Sequence, residues 1–123
     1  MTPKEINNFI SLHDGCTYNV HLCNMLSGGY AIAIKGFEEQ ILLKEFDEEK
    51  IELFLKKNSS IFRANQDYCL GAWVNDGKVY LDISKVISSY SAAHNYCVAN
   101  NEIAFFDLEK CEEITVNPDR DSQ

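Results

Sequence analysis

The sequence predicts an α+β domain: one mainly antiparallel sheet of about five to six strands, with three helices packed mostly on one face. Three observations predict it. Apolar residues recur at helical spacing in three separate stretches, and between them other stretches alternate apolar with polar residues at period two. Short turns rich in Gly, Asn and Asp join the alternating stretches, so neighbouring strands run antiparallel.

The first helix starts at Thr2-Pro3-Lys4-Glu5, which has the form of a capping box. The threonine oxygen covers a free backbone N–H, Pro3 takes the first helical position, and Glu5 reaches back. Ile6, Phe9, Ile10 and His13 follow at helical spacing, and Asp14-Gly15 stops the run. Tyr18, Val20 and Leu22 then alternate with Asn19, His21 and Cys23, which predicts a half-buried strand. Ser27-Gly28-Gly29 turns the chain into a second strand, Tyr30-Ala31-Ile32-Ala33-Ile34, ended by Gly36. A third short strand is expected at Gln40-Ile41-Leu42-Leu43.

Asp47 is placed to cap the second helix, with Glu48 and Glu49 suited to its positive N-terminal end. Ile51, Phe54 and Leu55 form its apolar stripe, and Asn58-Ser59-Ser60 reads as a break with Ile61 and Phe62 tucked beneath it. The sharpest local signal comes next. Asn75-Asp76-Gly77 lies between Cys69-Leu70-Gly71-Ala72-Trp73-Val74 and Lys78-Val79-Tyr80-Leu81-Asp82-Ile83, and an Asp-Gly pair there predicts a hairpin whose two central residues take positive φ. By alternation Trp73 and Val74 face opposite sides, and either qualifies as core. Asp82 is out of place between two apolar strand residues. It either caps a turn around Ser84 or faces a partner, and capping is the reading taken.

A third helix is expected from Ser88-Ser89, with Tyr90, Ala93, His94, Cys97 and Val98 as its stripe and Asn100-Asn101 at its end. Ile103-Ala104-Phe105-Phe106 and Ile114-Thr115-Val116 predict two last strands joined by a turn over 108–111. Residues 1–117 therefore form one domain and 118–123 a polar tail, with no internal repeat and no domain-scale linker.

Composition bounds the function classes. A chain of 123 residues with 46% hydrophobic and 24% charged residues is long enough for one self-sufficient core, which excludes a mainly disordered chain, a collagen-like fibre and a long coiled coil. No apolar run approaches the roughly 20 residues of a membrane span, and the N-terminus has no basic region followed by an apolar stretch, so a cytoplasmic protein is expected. The formal net charge is −8, with 11 Lys and Arg against 19 Asp and Glu. That balance disfavours direct binding to duplex nucleic acid, whose affinity rests on cationic side chains, and it disfavours anionic membranes. It suits a basic protein partner, although solubility alone also accounts for it.

The five cysteines, Cys16, Cys23, Cys69, Cys97 and Cys111, contain no C-x-x-C pair and read as free thiols, most of them small core residues. A zinc site drawn from Cys16, His21, Cys23, His94 and Cys97 has the wrong spacing for any common module, and packed core side chains are the plainer account. A cysteine nucleophile needs a thiolate within reach of an oriented histidine, and no activating motif surrounds any of the five. Neither phosphate-loop, zincin, nucleophile-elbow nor EF-hand patterns occur. Catalytic residues, metal ligands and cofactors are accordingly not assigned. Strand aromatics such as Trp73, Tyr80, Phe105 and Phe106 are able to stack on single-stranded bases, but the acid excess argues against that use.

Most of the excess charge is local. Residues 38–52 carry Glu38, Glu39, Glu45, Asp47, Glu48, Glu49 and Glu52 against Lys44 and Lys50, a net of −5. This run is either a solvated helix face with the usual N-terminal preference for acids or an acidic docking surface for a basic groove.

The stretches Leu70-Gly71-Ala72-Trp73, Asp76-Gly77-Lys78-Val79-Tyr80-Leu81-Asp82-Ile83-Ser84 and Asn101-Glu102-Ile103-Ala104-Phe105-Phe106-Asp107-Leu108 resemble a small uncharacterised family of phages, plasmids and other mobile elements. The likeness covers roughly the C-terminal 45 residues and brings no catalytic residues with it. The resemblance implies a host-facing role, such as blocking a defence nuclease. The function expected is a non-enzymatic protein-binding module that inhibits or adapts a host protein through its acidic surface. The alternative is a small enzyme or ligand- or metal-binding domain using a Cys/His pocket, and homodimerisation through an open sheet edge is a third expectation.

Overall fold

The computed structural model describes residues 1–117, so the expected tail at 118–123 lies outside the described residues. The class is the expected one, α+β with a single antiparallel sheet, but the sheet has eight strands and there are four helices. In chain order these are α1 (Pro3–His13), β1 (Gly15–Asn19), β2 (Asn24–Met25), β3 (Tyr30–Ala33), β4 (Glu39–Leu42), α2 (Glu48–Lys57), α3 (Ser59–Ala64), β5 (Tyr68–Asn75), β6 (Lys78–Ile87), α4 (Tyr90–Ala99), β7 (Ala104–Asp107) and β8 (Glu112–Thr115).

Sequence-local chemistry starts each of the three longer helices. Thr2 and Glu5 close the capping box of α1, Asp47 accepts from the Lys50 N–H at the start of α2, and Ser89 accepts from the Ala92 N–H at the start of α4. The hairpin of β5 and β6 turns at Asp76 and Gly77, with φ of 51° and 73°, as a two-residue turn with a matching twist requires.

Strand β6 is the spine of the sheet. It pairs with the whole of β5 through Lys78–Lys85; on its other side its first half pairs with β4 and its second half with β3. From β5 the sheet continues through β1 to β2, and from β3 through β7 to β8. The register assigns the faces. Leu70, Ala72, Leu81, Ile83, Ile32 and Phe105 share one face, and the buried residues of all four helices pack there. Ile6, Ile10, Ile51, Phe54 and Phe62 cover its larger half, while Ala93 and Cys97 of α4 cover the Ile32 and Phe105 end. No helix among the described residues buries a side chain on the opposite face.

Four local expectations are corrected. The strand expected over 18–23 lies earlier, at Gly15–Asn19, because the Asn19 side chain accepts the Leu22 N–H at 2.7 Å and Cys23 takes φ of 58°, bending 20–23 into a turn that leaves Leu22 exposed. The break at 58–60 is instead the junction to α3, where the buried Asn58 both ends α2 and donates to the Phe54 carbonyl. Strand β6 continues to Ile87, so no turn exists at Ser84 for Asp82 to cap. On α4 the buried stripe is reduced to Ala93 and Cys97, with Tyr90 and Val98 exposed, because only a short arc of this helix meets the sheet, over Ile32 and Phe105.

Candidate interaction surfaces

Residues 38–52 do not form one patch. Glu39 pairs across the sheet with Leu81 on the helix-bearing face and meets Lys57 at 3.4 Å, so its charge is offset within the fold. Glu38, one residue ahead of β4, is exposed and near enough to Asp82 for its charge to act on that carboxyl. Glu38, Glu39 and Lys57 also border a shallow cleft of about 270 Å³ with Gly36, Phe37 and Asn58. Asp47 is committed to its capping hydrogen bond.

The remaining acids behave differently. Glu45, Glu48, Glu49 and Glu52 are all exposed. Along α2, Glu49, Glu52, Leu53 and Lys56 recur at three- and four-residue spacing and so share an outward stripe, opposite the buried Ile51 and Phe54. Leu53 is 53% exposed and Leu43, on the approach to this helix, 47%; Leu42, 44% exposed, pairs with Lys78 and so lies on the helix-free face. Among the described residues the ion pairs are Lys35–Glu102 and Lys57–Glu39, so these four glutamates are not neutralised by an ion pair.

The helix-free sheet face holds a second arrangement, which sequence reasoning did not assemble. Trp73 and Tyr80 are cross-strand partners whose rings stack 4.4 Å apart, and Trp73 is 44% exposed. Alternation alone leaves open whether Trp73 or Val74 enters the core; Val74 packs against it and Trp73 faces out. Next along the strands, Asp82 opposes Gly71 and accepts a hydrogen bond of 2.7 Å from the Ser84 hydroxyl. Burial pushes the Asp82 carboxyl up to about 6 and the nearby Glu38 charge adds to the rise, against the lowering effect of the Ser84 hydrogen bond.

The Cys/His groups are dispersed. Cys16 lies on β1 and His21 and Cys23 in the following turn, whereas His94 and Cys97 are on α4, which packs at the β3 and β7 end of the sheet. No group of three or more His, Cys, Asp or Glu among the described residues is placed to hold a metal ion. Burial pushes the Cys16 thiol up to about 12 and Cys69 to about 11, and raises Cys97, the reverse of what activates a thiolate nucleophile. His21 borders a separate cleft of about 300 Å³ with Ser59 and Arg63, and no cysteine lines it.

No helix among the described residues is long and apolar enough to cross a membrane. Compared with protein-family models, curated proteins and solved structures, the chain matches none.

Proposed function

We propose that this chain is a non-enzymatic, cytoplasmic protein-binding module that inhibits or adapts a host protein through an acidic surface centred on α2. One observation carries the reading: Glu45, Glu48, Glu49 and Glu52 are exposed on and just ahead of α2, in the same stretch as the exposed Leu43 and Leu53. Acids alone describe any solvated helix. Acids interleaved with exposed leucines match the anatomy of a docking surface, in which apolar contact supplies affinity and charge supplies steering and register. The complementary partner is a protein with a basic groove edged by apolar side chains. A defence nuclease of the host is the candidate that the resemblance to mobile-element proteins brings forward.

The test is affinity capture from the producing organism with the wild-type chain and a Glu45→Lys/Glu48→Lys/Glu49→Lys/Glu52→Lys variant. A basic partner held by the wild type at low salt, released at high salt and lost in the variant supports the reading. Undiminished capture by a folded variant refutes it.

A further inference from the structure

The helix-free face of the sheet has a notch whose walls differ in chemistry. Gly15 and Gly71 both neighbour Trp73 on this face, one across the β1–β5 ladder and the other two residues back along β5. Neither has a side chain: Gly15 leaves backbone beside the tryptophan, and the space over Gly71 is taken by the Asp82 carboxyl. Its position fixes Gly71: a Cβ there would run into Asp82 Oδ1 and would sit 2.8 Å from Ser84 Oγ. The Asp82 carboxyl therefore lies across β5, next to the Trp73 position, instead of standing over its own strand.

Thr17, opposite Gly71 on β1, and Ser84 complete the surround with hydroxyl groups. Glu38 adds a second carboxylate from the chain leading into β4. An exposed indole, a half-buried carboxyl held by one hydroxyl, and a further acid beside it together complement a planar cation. Such a cation stacks on an aromatic face while its N–H groups pair with a carboxylate. A guanidinium satisfies both demands, because it is flat, weakly hydrated and carries donors in a fork; an ammonium satisfies only the charge.

We propose that this notch receives an arginine side chain of the partner protein, with the guanidinium seated against Trp73 and paired with Asp82. Naming the cation as a partner's arginine rests on the basic partner proposed above. The notch itself is testable without any partner, so the two readings fail separately.

The residues explain the division of labour. Tyr80, stacked behind Trp73, holds the indole in place. Ser84 orients the carboxyl. The ionisable groups nearest Asp82 on this face are Glu38, ahead of β4, and Tyr80 on β6, while Cys16 on β1 points to the helix-bearing side. A bound cation relieves the repulsion between Glu38 and Asp82.

Trp73 is the sole tryptophan, so its emission reports this site alone. The probe is N-acetyl-arginine amide, with the uncharged citrulline amide as its isostere, titrated at about pH 7.5 into the whole chain and into Asp82→Asn. In that variant the side-chain amide oxygen still accepts from Ser84, and a carboxyl that burial disfavours is gone, so the variant is expected to fold. The arginine amide should give a saturable change that weakens about tenfold in Asp82→Asn and about tenfold at pH 5, where Asp82 is largely protonated. The citrulline amide should give none. An unsaturable arginine titration, an equal response to citrulline, or equal binding by Asp82→Asn would each overturn the proposal.

Discussion

The carboxyl group of Asp82 occupies the space that a side chain at Gly71 would fill, and it is held there by a 2.7 Å hydrogen bond from Ser84. Gly71 is thus a glycine for a steric reason of long range in sequence and short range across the ladder. Gly71→Ala should cost about 1–2 kcal/mol, because the carboxyl must swing aside and give up Ser84. In an Asp82→Ala background most of that cost should vanish, since the obstructing carboxyl is gone and the Ser84 hydroxyl, released from it, is free to rotate away. Urea unfolding of the four chains in this double-mutant cycle measures the coupling, and strictly additive effects would contradict the contact.

Asp82 also sets a pH dependence. Its carboxyl rises from 3.8 to about 6 on folding, so the folded state holds the proton more tightly than the unfolded chain. The associated stability is fully present below about pH 4 and is lost as pH rises through about 6. The loss amounts to up to about 3 kcal/mol at 1.36 kcal/mol per pH unit. Asp82→Asn should therefore lack this slope and be the more stable protein at neutral pH. Thermal unfolding of both chains between about pH 4 and pH 8 reads the difference directly; a constant gap would disprove the assignment.

Thiol chemistry offers an independent check on the fold. Cys23 and Cys111 are exposed, Cys69 and Cys97 are fully buried, and the half-buried Cys16 has its thiol pushed up to about 12. Two cysteines should react rapidly with an aromatic disulfide reagent under native conditions, and the other three only on unfolding. Mass mapping of the labelled chain identifies which. Fast modification of Cys69 or Cys97 would contradict the packing of this sheet.

Much of the fold is legible in the sequence because local chemistry and global placement agree. Thr2, Asp47 and Ser89 cap where capping residues should, and Asp76-Gly77 turns where a hairpin requires it. The misreadings have a common cause, a tertiary contact outweighing a local pattern. The alternation of Tyr18, Val20 and Leu22 promises a strand that the Asn19 side chain converts into a turn. Asn58-Ser59-Ser60 reads as a break because polar residues are poor helix formers, yet burying Phe62 sustains a short helix there.

The candidate surfaces are legible to different degrees. The acidic run is visible as composition, but only the structure separates Glu39, paired with Lys57, and Glu38, whose charge reaches Asp82, from the exposed acids of α2. The notch is not legible as a whole. Trp73, Tyr80, Gly71 and Asp82 each stand in the hairpin sequence, and Asp82 is even out of place for a strand, but what unites them is which face the helices leave bare.

The acidic surface should also announce itself energetically. Reversing Glu48 and Glu49 places cations at the positive end of α2, which should destabilise the chain by about 0.3–1 kcal/mol per residue while leaving it folded. Reversing Glu45 and Glu52, away from that first turn, should cost less than about 0.5 kcal/mol each. Chemical denaturation of the two double variants separates this structural cost from any effect on binding; equal costs for both pairs would contradict the placement.

The most direct test of the central claim compares capture by the wild-type chain with capture by the fourfold Glu45, Glu48, Glu49 and Glu52 reversal, at low and high salt. The account predicts one stoichiometric basic partner, bound by the wild type at low salt, released as added salt screens charges beyond about 10 Å, and absent from the folded variant. The same partner on both chains, held regardless of salt, would contradict it.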